Sequence, residues 1–171
     1  FQTVSIASTT GFASSDFNLW PDFSRYVLLL LMFVGGCSGS TAGGMKVSRF
    51  VILLKVTWAE LRRTIHPRLV YSIKMGGRNV PPVVVGNVTR FFYLYMIVFS
   101  TLTLLISLTG LSMLDSMGII AACMSSVGPA FGIVGPTATY ADVSTFGRLV
   151  VIAAMILGRL EMFTLLIIMR P

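Results

Sequence analysis

Long uncharged stretches alternate along the chain with short breaks rich in glycine, proline or charge. One uncharged stretch without a proline, 91–114, has 24 residues. A helix needs about 20 apolar residues to cross the hydrocarbon core of a bilayer, so this stretch predicts a transmembrane helix. A second apolar, helix-prone stretch covers 146–169 and is interrupted by Arg159 and Glu161.

The other apolar stretches are too short or too often broken to cross a bilayer alone. Residues 1–12 end in a Thr-Thr-Gly turn, and the uncharged stretch 117–141 contains six glycine or proline residues. The segment 35–44 is half glycine and separates two short apolar flanks. Each glycine costs a helix interior about 1 kcal/mol relative to alanine, so these patterns predict half-helices, turns and a helix broken near 35–44.

The two halves of the chain share one plan, in which a short apolar segment runs into a glycine turn and a longer apolar helix follows. The turns are 8–12 and 125–129, and a glycine recurs in the following helix at Gly36 and Gly158. This plan is typical of a pore loop. Irregular backbone at membrane depth must line water or protein, and the carbonyl end of a half-helix favours a cation. We therefore predict an all-α membrane protein of helix–pore-loop–helix repeats, with re-entrant half-helices and a glycine-broken transmembrane helix. The alternative is that the glycines only permit close helix packing.

Composition and charge support a membrane location. Hydrophobic residues make up 55% of the chain and charged residues 11%, against about 25% charged residues in soluble domains. Of 13 lysines and arginines, nine lie within 46–90, and short basic loops remain in the cytoplasm. The ends that carry the acidic residues are then external, and the juxtamembrane position of the basic charge argues against nucleic-acid binding. The acidic residues meant are Asp16, Asp22, Asp115 and Asp142.

Candidate catalytic chemistry is sparse. The one histidine, His66, lies in the basic connection as a predicted surface residue, and both cysteines are predicted to be reduced, buried thiols. The segment 35–46 lacks the G-x-x-x-x-G-K-[ST] pattern of a phosphate loop. Two other classes remain as alternatives: an ion-coupled secondary transporter with broken helices, and an intramembrane enzyme. Entry of both half-helices from one side favours a channel-like pore over the first, and the absence of a catalytic pair in the apolar segments disfavours the second.

Four motifs together resemble the Trk-type potassium uptake proteins of the Trk/Ktr/HKT superfamily. They are STTGF at 8–12, GGCSGSTAGGMK at 35–46, HPRLVYSIKMGGRNVPP at 66–82 and GRLEMFTLL at 158–166. The resemblance implies four repeats around one ion path, of which this chain, a piece of a longer protein, carries the C-terminal half. It places the third-repeat half-helix, filter turn and glycine-interrupted helix at 1–65, a basic cytoplasmic connection at 66–88 and the fourth repeat at 89–171.

The resemblance also implies which residues act. The segment 35–44 matches an intramembrane gate loop beneath the filter. Arg159 is expected on the pore side, with an interhelical ion pair as the alternative, and Glu161 is expected to face a partner buried in the protein. Pro129 stands where the first turn has Phe12, which makes the two turns unequal. The implied filter residues are Thr9, Thr10, Gly11, Ser126, Val127 and Gly128, with K⁺ held at Thr10, Gly11, Val127 and Gly128; the implied gate-loop glycines are Gly35, Gly36, Gly39, Gly43 and Gly44.

As a member of such a family, the chain is expected to be part of a pore-forming subunit that moves K⁺ across the bacterial inner membrane, as a multi-pass protein without enzymatic activity. No cofactor is expected in this chain, and K⁺ is the transported ion. The expected partners are the lipid bilayer, the missing N-terminal half of the same protein, a second copy in a homodimer and a cytosolic nucleotide-binding regulatory ring. The ring would dock on the basic connection.

Overall fold

The computed structural model describes residues 1–37, 39–40, 42–66 and 72–159. Within these ranges the chain is mostly helical, which confirms the predicted fold class at that level. The described elements are α1 (Gln2–Ala7), α2 (Asp22–Phe33), α3 (Val47–Ile65), the strands β1 (Lys74–Met75) and β2 (Arg78–Asn79), α4 (Pro82–Ser107), α5 (Met113–Met124) and α6 (Thr145–Arg159). Short 3₁₀ turns cover Phe17–Leu19, Gly132–Val134 and Tyr140–Asp142.

Helix α5 lies at the centre and packs against α2, α4 and α6. All of its residues from 118 to 124 are buried, as expected for a helix that is apolar on every side. At its N-terminus the Ser112 hydroxyl accepts a hydrogen bond from the Asp115 backbone N–H at 3.1 Å. The Asp115 carboxylate lies in the first turn, where its negative charge interacts favourably with the positive end of the helix dipole. Its 12 residues span about 18 Å, well short of a bilayer core of about 30 Å.

Among the described residues, α4 is the one helix long and apolar enough to cross a membrane. Its 26 residues span about 39 Å. It begins at Pro82, inside the segment predicted as the connection, because proline is well suited to the first helical turn. It ends at Ser107 rather than near 114, and the chain then turns through Gly110 at φ +85°. The antiparallel pair β1–β2 forms a small hairpin in the same connection.

The described residues between α2 and α3, which are 34–37, 39–40 and 42–46, are not helical. The strand-like flanks of this segment meet, since the Gly35 N–H donates to the Met45 carbonyl at 2.8 Å and the Val47 N–H donates to the Gly36 carbonyl at 3.2 Å. The two ends of the segment 35–44 therefore lie next to each other. Helix α6 is described as far as Arg159, so the end of the predicted last helix and the role expected for Glu161 lie outside the described residues.

The cysteine prediction is half right. Cys123 is buried in α5, whereas Cys37 is exposed, because it lies in the glycine segment and not in a helix interior. His66 is exposed at the end of α3, as predicted. Large apolar side chains on the outer faces of the peripheral helices are also exposed, among them Leu30 on α2, Ile97 on α4 and Ile152 on α6, which suits contact with lipid or with another part of a larger protein.

Candidate functional site

The first glycine turn follows directly from the end of α1. Its backbone N–H groups reach back into the helix: Thr9 donates to the Ile6 carbonyl at 3.0 Å and Thr10 donates to the Ser5 carbonyl at 2.9 Å. These are the two hydrogen bonds of a Schellman motif, which satisfies carbonyls that a helix end leaves unpaired.

The second glycine turn repeats this geometry at the end of α5. Ser126 donates to the Cys123 carbonyl at 3.1 Å, and Val127 donates to the Ala122 carbonyl at 2.9 Å. The sequence offsets are the same as in the first turn. The two turns are therefore the same structural motif at two places, although their sequences share only the initial serine and the glycine.

Both turns hold a residue other than glycine in a left-handed conformation. Thr9 has φ +56° and Ser126 has φ +57°, and two positions later Gly11 has φ +77° and Gly128 has φ +102°. Schellman motifs usually place glycine at the first of these positions. A side chain there costs about 1–3 kcal/mol, and such strain concentrates at functional sites. The sign of φ thus alternates along each turn.

The two turns lie against each other. A Cβ on Gly11 would lie 3.2 Å from the Val127 carbonyl carbon and 3.2 Å from Pro129 Cδ, and closer still to the Val127 oxygen. The structure therefore brings the predicted filter turns together, with the carbonyl ends of α1 and α5 leading into both. Helix carbonyl ends carry partial negative charge, so the meeting point is suited to a cation.

Different side chains secure the two turns. In the first, the Ser5 hydroxyl donates to the Phe12 carbonyl at 2.6 Å. In the second, the Tyr140 hydroxyl donates to the Gly128 carbonyl at 2.6 Å, and Cys123 Sγ lies 3.4 Å from the same hydroxyl. Burial raises the pKa of Tyr140 above its usual range, so its hydroxyl keeps the proton that it donates.

Contacts between the segments that follow the turns join the two repeats at the acidic end. The Asn18 side-chain amide donates to the Gly132 carbonyl at 3.1 Å, and its oxygen accepts the Gly132 N–H at 3.0 Å. Beside this pair, the rings of Phe17 and Phe131 lie edge to face with centroids 5.4 Å apart. Sequence reasoning missed Asn18, because its partner lies 114 residues away and no local pattern points to it.

The glycine loop 35–44 lies against the second turn. A Cβ on Gly43 would lie 2.6 Å from the Ser125 carbonyl carbon and 2.9 Å from Ser126 Cβ. The Ser125 hydroxyl donates to the Met32 carbonyl, which lies in the last turn of α2 before the loop. The loop and the turn are therefore in backbone contact, with no side chain between them. Sequence analysis gave Ser125 no separate role.

The Lys46 side chain folds back onto the glycine loop and bridges two of its carbonyls. Its ammonium group donates to the Ser40 carbonyl at 2.6 Å and to the Ala42 carbonyl at 2.6 Å. Sequence analysis gave Lys46 no role beyond the motif that it ends. Its position two residues after Gly44, at the end of the glycine segment, was the available signal, because a long cationic side chain can fold back onto carbonyls that a glycine-rich backbone leaves unpaired.

A cavity of about 270 Å³ separates the loop from the basic end of α6. Arg159 lines this cavity together with Gly39, Gly43 and Gly44 of the loop, so the structure brings the predicted gate loop and the predicted pore arginine to one place. Gly35 and Gly36 belong to the loop but do not line the cavity. The preceding Gly158 packs on the end of α5, where a Cβ would lie 2.6 Å from the Met124 carbonyl carbon.

The cavity is basic. Lys46 and Arg49 line it beside Arg159, and the Arg49 guanidinium lies 4.2 Å from the centre of the Phe91 ring, a cation–π contact. Lys46, Arg49 and Arg159 thus share one cavity beside the glycine loop.

Comparisons with known proteins extend over the whole chain. A family model described as TrkH, a cation transport protein, matches residues 1–171. The Trk system potassium uptake protein TrkH of Vibrio parahaemolyticus is 44% identical over 171 residues, which are 100% of this chain and 35% of that relative. TrkH of Escherichia coli is 40% identical over 171 residues, with the same two shares.

A solved structure agrees with these matches. The crystal structure of the potassium transporter TrkH from Vibrio parahaemolyticus superposes with a TM-score of 0.90 at 44% identity, covering 99% of this chain and 36% of that chain. The chain thus spans about a third of the length of the proteins that it matches. The resemblance indicated by the four sequence motifs is confirmed.

Proposed function

The chain belongs to the TrkH family of cation transport proteins, and from this membership we propose that it forms part of a potassium-conducting pore in the bacterial inner membrane. The observation that carries the proposal is the contact between two identically built turns, with Gly11 against the Val127 carbonyl. The relatives named above are potassium uptake proteins or transporters. An intramembrane enzyme therefore gains no support from them.

In this proposal the two turns supply part of a selectivity filter. Because the sign of φ alternates along 9–11 and 126–128, successive carbonyls can point to the same side. In extended backbone, successive carbonyls point to opposite sides. Carbonyls gathered in this way replace the hydration shell of an ion. We assign the K⁺ ligands to the carbonyls of Thr10, Gly11, Val127 and Gly128, and the supporting backbone to Thr9 and Ser126. The other half of the filter would come from the part of the protein that this chain does not include.

The glycine loop 35–44 is the proposed gate. It touches the second turn through Gly43 and borders the basic cavity on its other side, so a displacement of the loop changes the space directly next to the filter. The Lys46 ammonium holds the loop closed through two of its carbonyls. Arg159 adds a positive charge at the same cavity, which raises the energy of a cation there.

Replacement of Gly11 by serine tests the filter assignment. Serine at this position would have to adopt the left-handed φ of +77°, and its side chain would push against the Val127 carbonyl. We therefore expect the ratio of K⁺ to Na⁺ flux to fall by at least about tenfold, which corresponds to about 1.4 kcal/mol. The measurement is flux of both ions into liposomes that hold the full-length protein.

Gly110→Ser provides the matched control. Gly110 has a similar φ of +85°, but no atom lies within 4 Å of the position that its Cβ would take. This variant carries the same backbone penalty outside the turns and should keep the wild-type flux ratio. An unchanged ratio in a folded Gly11→Ser protein would contradict the filter assignment.

The partners of the pore are proposed on the family resemblance and on charge. Arg62 and Arg63 end α3, where the side chain of Arg63 is 68% exposed, and the nearby hairpin adds Arg78. We propose that this basic end docks a cytosolic nucleotide-binding ring and that two copies of the whole protein form the membrane unit. The protein mass in detergent-solubilised full-length material tests the dimer, since a mass of one copy contradicts it.

A further inference from the structure

Tyr140 contacts the second turn and lies in the segment that connects this turn with α6. Its hydroxyl donates to the Gly128 carbonyl at 2.6 Å and lies 3.4 Å from Cys123 Sγ. A tyrosine hydroxyl has one proton to donate. Because that proton goes to Gly128, the thiol of Cys123 is the donor of the second contact. The three groups form a chain from α5 through Tyr140 to the turn, in which each bond polarises the next.

The Gly128 carbonyl has few other restraints. It belongs to the peptide bond that precedes Pro129, and proline has no N–H, so this peptide carries a single hydrogen-bonding group. No atom lies within 4 Å of the place where a Gly128 Cβ would stand, and its φ is +102°, a conformation that glycine adopts freely. The direction of the carbonyl therefore depends on its hydrogen-bond partner, which is Tyr140.

The first turn is held in another way. There Phe12 stands in the place of Pro129, and the Ser5 hydroxyl of α1 secures the Phe12 carbonyl at 2.6 Å. Gly11 is also packed against the second turn, whereas no atom lies within 4 Å of the place where a Cβ on Gly128 would stand. The restraint on the first turn thus lies within its own half-helix, and the restraint on the second comes from a residue 12 positions further along the chain.

We propose that Tyr140 is a positioning residue for ion selectivity, which fixes the Gly128 carbonyl at the distance and angle that the filter needs. This inference rests on the proposed filter function and adds to it a side chain outside the turn. Selectivity between ions of similar charge depends on the number and placement of the carbonyl ligands. Without the hydroxyl, the Gly128 carbonyl loses the hydrogen bond that orients it, and the ligand shell becomes less uniform.

Tyr140→Phe removes the hydroxyl and keeps the ring. We expect the K⁺ to Na⁺ flux ratio of the full-length protein in liposomes to fall about three- to tenfold, in line with the loss of one hydrogen bond of about 0.5–1.5 kcal/mol. Tyr93→Phe is the matched control, because Tyr93 lies on α4 with 64% of its surface exposed, and it should leave the ratio unchanged. A merely structural role for Tyr140 would lower the amount of folded protein and reduce both fluxes alike, with the ratio preserved.

Cys123→Ala gives a second, milder variant. It leaves the bond between Tyr140 and Gly128 in place but removes the thiol that polarises it, so we expect a loss of selectivity of about twofold. This variant decides the matter if Tyr140→Phe does not fold. Unchanged flux ratios in the folded variants would overturn the role of Tyr140. If Gly11→Ser alters the ratio in the same assay, that failure concerns Tyr140 alone; if Gly11→Ser also leaves it unaltered, the filter assignment itself has failed.

Discussion

The contact between Lys46 and the glycine loop provides a quantitative test of the gate. Lys46→Met keeps the length of the side chain and removes the ammonium group with its bonds to Ser40 and Ala42. A hydrogen bond to a charged group contributes about 1.5–3 kcal/mol where solvent is excluded, and less where it is exposed. One of these two bonds is exposed and the other is partly buried, so we assign about 2 kcal/mol to both together. Since 1.4 kcal/mol is a factor of ten, the ratio of open to closed loop should rise about thirtyfold.

The global stability of the protein should change much less. Lys46 is the N-cap of α3, where a positive charge opposes the helix dipole by about 0.3–1 kcal/mol, and its removal offsets part of the lost hydrogen bonding. The assay is therefore K⁺ flux per folded full-length protein in liposomes, beside thermal unfolding in detergent. Lys55→Met is the matched control, because Lys55 also lies on α3 and also donates to a carbonyl, that of Lys74 at 2.6 Å, away from the glycine loop. If wild-type and Lys46→Met protein are both folded and show equal flux, Lys46 does not hold the gate loop closed.

Two further predictions concern the basic side of the protein. Arg159→Gln should raise K⁺ flux severalfold, because it removes a positive charge from the cavity behind the gate loop. Arg159→Lys keeps the charge and should keep flux near the wild-type value. Lower thermal stability with unaltered flux in Arg159→Gln would instead indicate a structural role. Combined Arg62→Glu and Arg63→Glu substitutions should abolish co-purification of a cytosolic nucleotide-binding partner with the full-length protein. Arg148→Glu, an exposed change on α6, should not, and retained co-purification in the double variant would remove the docking site.

The sequence was informative where the structure is decided locally. Five glycines in 35–44 cannot continue a helix, and α2 and α3 are indeed separate. The two turns were identifiable because Ser8 and Ser125 each precede a glycine by three residues at the end of a short apolar run. The bounds of α4 were predicted less well. Uncharged length placed it at 91–114, but the chain enters the helix at Pro82 and leaves it before Gly110, because proline and glycine determine where a helix begins and ends more strongly than hydropathy does.

The residues that hold the turns in place could not be predicted. Asn18 bonds to Gly132, 114 residues away, and the Ser125 hydroxyl bonds to the Met32 carbonyl, 93 residues away. In both cases the partner group is backbone, which any residue type supplies, so the sequence carries no complementary signal. Tyr140 is closer to Gly128 along the chain, but a tyrosine in an external connection is more often an ordinary amphipathic surface residue.

Three glycines approach backbone carbonyls at the end of α5 and in the second turn. Gly158 approaches the Met124 carbonyl, Gly43 approaches the Ser125 carbonyl and Gly11 approaches the Val127 carbonyl. These glycines belong to α6, to the gate loop and to the first turn, so backbone of three different segments meets the backbone of 124–127. Side chains can absorb a small displacement by changing rotamer, but backbone in direct contact cannot, and it transmits the displacement to its neighbour. A shift of the gate loop must therefore move the second turn or separate from it. The proposed gate and the proposed filter are in this way one mechanical unit, in which loosening the loop also removes a support from the carbonyls that we propose select the ion.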